Sequence, residues 1–358
     1  MKTTKIILCV ALAGIVIISC KKKETTPTPV AQDTLSKDIL ADLASTVIYP
    51  TYMDMATQGD NLYNSIVTFS NAPTAANLTA CQQAWRSIRT TWESSEGFLF
   101  GPVEINNIDP RIDTWPIDYQ KTDSILSSTV ALNATYVNTL DEALKGFHPI
   151  EYLLFGNGGT KTASAVTSRE KEFLIGLSDN LRTLAHQLKD SWDPSKTNNY
   201  SVQLSNSGSG STVFTSQKAA YQQLLGAMSD ICNEVATSKL YTPYTQHDPS
   251  QEESPFASNS LIDFSNNIKS SQNIYLGKYT NDGKGIEDLI RATNLSMDGI
   301  IKTKFSSALT SLSNITMPFG QAITSQPTQI QNAINAISDL KTYLEGPVTD
   351  YVNSVIKN

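Results

Sequence analysis

The sequence predicts an all-α fold of two helical-bundle domains. Apolar residues recur at three- and four-residue spacing, strand-like alternation is nearly absent, and one long Ser/Asn/Gly-rich stretch divides the chain. Leu78, Cys81, Trp85, Ile88, Trp92 and Leu99 follow the spacing of a helix with one buried face. Thr167 and Glu170 have the spacing of a capping box opening the helix "REKEFLIGLSDNLRTLAHQLKDSW", and Gly146, Gly156 and Gly285 punctuate other segments. The stretch "DPSKTNNYSVQLSNSGSGS" reads as the junction, placing an N-terminal bundle at 35–192, a linker at 193–213 and a C-terminal bundle at 214–358. Four helical segments are expected in the second bundle, near 216–238, 255–275, 285–314 and 328–356. One carries the stripe Tyr221, Leu224, Leu225, Met228, Ile231, Cys232, Val235. Another carries Ile330, Ile334, Ile337, Leu340, Leu344, Val348 and Val352, with a bend expected at Pro347.

Residues 1–19, "MKTTKIILCVALAGIVIIS", combine two lysines, no acid and an apolar run too short for a spanning helix, which needs about 20 apolar residues. They read as an export signal ending at Cys20. The residues "IISC" resemble a bacterial lipobox, which implies a lipid on Cys20 and a tether over 20–34, where "KKKETTPTPVAQDT" offers almost nothing large to bury. A plain secretory signal is the alternative. The localisation expected is the cell envelope, lipid-anchored and facing the periplasm. Removing residues 1–19 takes the formal charge from −7 to −9, which argues against nucleic acid as a partner. Beyond Cys9 and Cys20 only Cys81 and Cys232 remain, and two buried thiols are expected rather than a bridge.

The stretch "GFHPIEYLLFG" raises the question of chemistry. Gly146 can close the helix "VNTLDEALK", and Pro149 suits the first position of a new helix, making His148 the expected cap and Glu151 the third helical residue. The same spacing lets imidazole and carboxylate converge on one ion, but two ligands are too few, so others must come from elsewhere. The candidates are Glu93 and Glu96, beside Trp85 and Arg89 in "AWRSIRTTWESSEGFLFGP"; Asp113, near Trp115 in "NNIDPRIDTWPID"; and Glu252, ahead of Ser254 and Asn259 in "QEESPFASNS". A charged row of this kind is otherwise a solvated face, and such carboxylates otherwise cap helices and turns. His186 reads as a helix-surface residue and His247 as a loop residue. No serine has a basic partner that would make a hydrolase triad.

Taken together, "AWRSIRTTWESSEGFLFGP", "IDTWPID", "GFHPIEYLLFG" and "EESPFASNSLIDFSNNIKSSQNIYLGKY" resemble the imelysin family, the group that includes the insulin-cleaving membrane protease. Gly146, His148 and Glu151 match its Gly-x-His-x-x-Glu signature. The resemblance implies two helical bundles exported to the bacterial envelope, a site between them, and a role in iron acquisition or metal binding. It implies as cargo or cofactor a metal ion, with iron favoured and calcium or zinc open, arriving free or in a metal-carrying ligand, and envelope uptake proteins as partners. The family's peptidase label makes a metal-dependent peptidase the alternative function. The insulin-cleaving branch has His, Ser, Asp and His where this chain has Glu253, Ala257, Ser258 and Leu261. The loss of two histidines leaves a carboxylate-rich site that suits iron or calcium better than zinc.

Overall fold

The computed structural model describes residues 29–356. The export signal, Cys20 and the start of the expected tether lie outside the described residues. Helix α1, Pro29–Asp42, reaches into the stretch expected to be tether and passes through a π-helical turn, Leu43–Ile48, into α2, Tyr49–Asn71. Helix α2 packs against α3, Ala75–Glu93, and α5, Ser168–Trp192. The apolar stripe of α3 is buried as expected from Leu78 to Trp92. Leu99 falls beyond the helix end, in the loop that follows. Helix α5 opens on the expected capping box of Thr167 and Glu170.

Between α3 and α5 the chain makes short helical turns and two longer helices, Tyr119–Ser127 and α4, Phe147–Phe155. Gly146, not His148, is its cap: Gly146 has φ +85°, and a Cβ there would come within 2.1 Å of the Ile112 carbonyl oxygen. The helix therefore starts two residues earlier than expected. Pro149 is tolerated at its third position because the amides of a first turn have no intrahelical partner. "VNTLDEALK" is likewise not one helix but two short turns, Ala134–Asn138 and Glu142–Leu144.

The second half is built from α6, Gln217–Glu234, α7, Ser260–Leu276, α8, Leu295–Ser313, and α9, Pro327–Tyr343, which pack on one another. Both expected apolar stripes are buried along their whole length. The segment expected at 285–314 is broken into Ile286–Arg291 and α8, and that expected from 255 starts at Ser260. Pro347 lies in a π-helical turn, Leu344–Val348, that joins α9 to a final helix, Thr349–Val355. Among the described residues there is no strand, only an isolated bridge between Lys278 and Asp282.

The stretch read as a linker contains the helical turn Tyr200–Ser205. Its Tyr200 ring sits 5.0 Å from that of Trp192 and 6.1 Å from that of Phe214, and Leu204 is fully buried. Cys81 and Cys232 are both buried and free. The two halves meet where α7 packs on α3, and where the turn Glu96–Phe98 lies against α6 and α7. Gly97 makes that approach possible: a Cβ would come within 2.7 Å of the Ser271 amide nitrogen, and the Gly97 N–H donates to Ser270 Oγ at 2.7 Å.

Candidate functional site

The last turn of α3 delivers Arg89 and Glu93, both fully buried, into the seam between the halves. Arg89 is the hub. Its guanidinium contacts Asp113, lies 2.5 Å from Glu93 Oε1 and 2.6 Å from Glu253 Oε1, and is 3.8 Å from Asp263 Oδ1. The face of Phe147 lies 5.1 Å away. Lys239, from the π-helical turn Val235–Leu240, adds a second cation, 2.9 Å from Glu253 and 3.8 Å from Glu93. Helix α7 and the segment leading into it face this knot with small polar side chains: Asn267 donates to Glu93 Oε2 at 2.5 Å, while Ser254 and Asn259, ahead of the helix, donate to Asp263 at 2.6 and 2.7 Å.

The His-x-x-Glu pair sits behind this cluster. His148, 1% exposed, places Nε2 3.1 Å from Asp113 Oδ1 and Nδ1 3.6 Å from Glu151 Oε2. Trp92 Nε1 donates to the other Asp113 oxygen at 2.6 Å, and the Trp115 ring packs 5.0 Å from the imidazole. Glu151 Oε1 accepts the Ala257 N–H at 2.8 Å, tying α4 to the segment that carries Glu253. Trp85 is a framework residue, its Nε1 donating to the Phe147 carbonyl. His148 thus orients Asp113, and Glu151 fixes a backbone.

Burial and charge pull the titrations apart. Burial opposes the His148 imidazolium, but Asp113 and Glu151 outweigh it and raise its pKa. Burial likewise opposes the Asp113 carboxylate, yet Arg89 and His148 hold its pKa well below the usual range. Glu93 is raised well above that range by burial, against the pull of Arg89 and Lys239. Asp263 is pushed by burial to about 6.

In front of the knot lies a cleft of about 320 Å³, lined on the acid side by Glu96, Asp109, Asp113, Glu234 and Glu253, with Lys239 as its one lining cation and Trp115 in its wall. Glu93, Glu96 and Asp113 each offer a carboxylate oxygen, and the three oxygens lie within 4.8 Å of one another, the one such cluster among the described residues. Glu96 is 7% exposed and makes no hydrogen bond or ion pair among the described residues. Burial raises its pKa well above normal, and burial with the neighbouring Asp113 lifts Asp109 to about 7. The donors are all hard oxygens, which fit a hard cation better than zinc.

Of the residues singled out from sequence, Trp85, Arg89, Glu93, Glu96, Asp113, Trp115, Gly146, His148, Glu151, Ser254 and Asn259 belong to the knot, the cleft or their frame. Glu252 does not face Arg89. It accepts from Ser260 Oγ at 2.9 Å and packs against Gly320. His186 pairs with Asp60 on the helix surface, and His247 caps a short helix in a left-handed conformation, as their sequence contexts suggest. Lys239 and Asp263 were missed, while Asp109 stood beside Asp113 in "NNIDPRIDTWPID" and Glu253 beside Glu252 in "QEESPFASNS" without being put forward as ligands. A usable signal was the run Ser260, Asp263, Asn267, Ser270: polar residues at helical spacing on a helix otherwise apolar enough to be buried.

The Imelysin family model matches residues 48–344. The chain is 32% identical over 248 residues to "Iron-regulated protein A" of Synechococcus elongatus, an alignment covering 69% of this chain and 66% of that protein's length. A crystal structure from Parabacteroides distasonis, of a protein provisionally named an iron-regulated protein A precursor, superposes with a TM-score of 0.81 at 24% identity, over 93% of this chain and 97% of that one. An imelysin-like protein from Psychrobacter arcticum gives a TM-score of 0.74 at 15% identity, over 90% and 96%. At those identities the two structures speak for the fold; with a family model that spans most of the described residues, the chain belongs to the imelysin family.

Proposed function

We propose that this chain is an iron-related binding protein of the bacterial envelope, held to the membrane by a lipid on Cys20, that takes a hard cation into the cleft formed by Glu93, Glu96 and Asp113. The observation that carries the reading is the unpartnered, buried carboxylate of Glu96 within reach of two others. Uncompensated carboxylates in one partly buried place are unfavourable unless protons or a cation neutralise them. The iron connection rests on the names of the Synechococcus and Parabacteroides relatives. Among the described residues no helix is long and apolar enough to cross a membrane, and the lipid anchor is supported by the apolar run that ends in "IISC" at Cys20.

The residues divide the work. Glu96 and Asp113 ligate from the cleft lining, the fully buried Glu93 from beyond it, and Arg89 and His148 hold Asp113 in place. Lys239 limits the net charge the cleft presents. A bound cation would supply the positive charge that the Glu96 side lacks. A peptidase site would want an accessible nitrogen ligand, whereas both His148 nitrogens face carboxylates.

The test is elemental analysis of protein purified without chelator, with melting temperatures measured in Mn²⁺, Fe²⁺, Ca²⁺ and Zn²⁺. Hard ions should raise the melting temperature of the parent but not of Glu96→Gln. Equal responses from the two proteins would overturn the assignment. Cys20→Ser should move the protein from the membrane to the soluble fraction, and unchanged fractionation would remove the anchor.

A further inference from the structure

Behind Glu96 lies a second, smaller cavity of about 130 Å³. It shares Glu96, Leu99 and Glu234 with the cleft and adds Glu104 and Asp230, and no Lys or Arg lines it. We propose that this cavity is a second cation subsite, which holds a divalent ion through its water shell and passes it across Glu96 into the cleft. The inference rests on the cleft being a cation site.

Glu96 points to a ligand on both sides. It is 7% exposed, has no hydrogen bond or ion pair among the described residues, and borders both cavities. Lys239 lines the cleft but not the second cavity, whose walls it meets only through Glu234, 3.5 Å away, so Glu104 and Asp230 are left without an ion pair among the described residues. Glu104, Asp230 and Glu234 are exposed, which lets ions arrive from solvent. The two spaces differ in how closely their oxygens converge. Among the described residues, Glu93, Glu96 and Asp113 are the one set of three acidic, His or Cys side chains whose ligand atoms lie within 4.8 Å of one another, so an ion in the smaller cavity would meet fewer converging carboxylates and keep more of its waters. At ~30 Å³ per water the cavity has room for about four, enough for an ion with part of its shell. Small divalent ions give up water reluctantly, and a site that keeps those waters next to one that replaces them breaks dehydration into stages.

The experiment is a Mn²⁺ titration of the full chain, with free ion followed by electron paramagnetic resonance. The parent should take up two ions, one tight and one weak. The double variant Glu104→Gln/Asp230→Asn changes exposed side chains only and should lose the weak ion while keeping the tight one. High salt should remove the weak ion in the parent as well, since a water-mediated site depends on screened attraction. A parent that binds one tight ion, or a double variant that still binds two, overturns the second subsite and leaves the cleft assignment standing. A parent that binds none overturns both.

Discussion

The carboxylates at the seam fall into two groups that differ in what neutralises them and meet where Glu93 and Asp113 of the first come within 4.8 Å of Glu96 of the second. Around Arg89, the acids Glu93, Asp113, Glu253 and Asp263 each meet its guanidinium, Glu93 also accepts from Asn267, Asp113 from Trp92, and Asp263 from Ser254 and Asn259. Around Glu96, Glu234 meets Lys239 at 3.5 Å, but the buried Glu96 carboxyl itself has no ion pair or hydrogen bond among the described residues. A gathering of carboxylates is therefore not in itself a sign of a ligand. The side whose charges are answered from within the chain reads as structure, and the side left unanswered reads as a place for a cation.

The largest effect expected from this contrast comes from removing the hub. Arg89→Met leaves several buried acids without their cation and should lower stability by about 3–5 kcal/mol in urea titrations. The loss should be smaller in acid, because Glu93 is raised well above its usual pKa and Asp263 stands at about 6, so protons can take over part of the neutralisation. A loss below about 1 kcal/mol at neutral pH would mean that Arg89 is not what balances the knot.

The next effect is on the other side and has the opposite character. Glu96→Gln keeps the volume and removes a buried carboxyl that no hydrogen bond or ion pair holds, so stability without added metal should hold or rise, by less than about 1 kcal/mol. The same substitution should abolish the Mn²⁺-induced rise in melting temperature. If Glu96→Gln destabilises the metal-free protein as Arg89→Met does, the two groups are one structural network and the contrast fails.

The two groups were unequally legible in the sequence. The helices that carry them were readable because period-3.6 apolar stripes survive any tertiary context, and every stripe residue from Tyr221 to Val235 and from Ile330 to Val352 is buried. Arg89, Glu93 and Glu96 were found because they sit near two tryptophans and a Gly-Pro stop, and His148 because it is one of three histidines and precedes Glu151 by three residues. Lys239 was not, since a lone lysine in "TSKLY" gains its meaning from the widened π-helical turn that swings it inward, and no local pattern announces such a turn. Asp263 was lost among the small polar residues of α7, whose burial is set by the helix it packs on. The misplaced helix start at His148 has a similar cause: the close approach of Gly146 to Ile112 is a contact between distant parts of the chain.

The smallest effect expected concerns Glu252, which tests whether burial alone makes a carboxylate part of the cation site. Glu252 is buried and its pKa is pushed by burial from 4.5 to about 7, yet it hydrogen-bonds Ser260 and lies off the cleft. The folded protein therefore keeps this proton across a range where the unfolded chain has released it. The resulting stability is fully present below about pH 4.5 and is lost as pH rises through about 7. Asp109, Asp263 and His148 are shifted upward too and add slopes of the same sign, so the informative quantity is a difference. Glu252→Gln cannot titrate, and its stability should fall less steeply than the parent's between pH 5 and pH 7 in denaturant titrations across about two pH units. Its melting temperature should respond to Mn²⁺ as the parent's does. A Glu252→Gln variant that loses the metal response would extend the cation site through the Ser260 hydroxyl and move Glu252 to the uncompensated side, redrawing the boundary between the two groups.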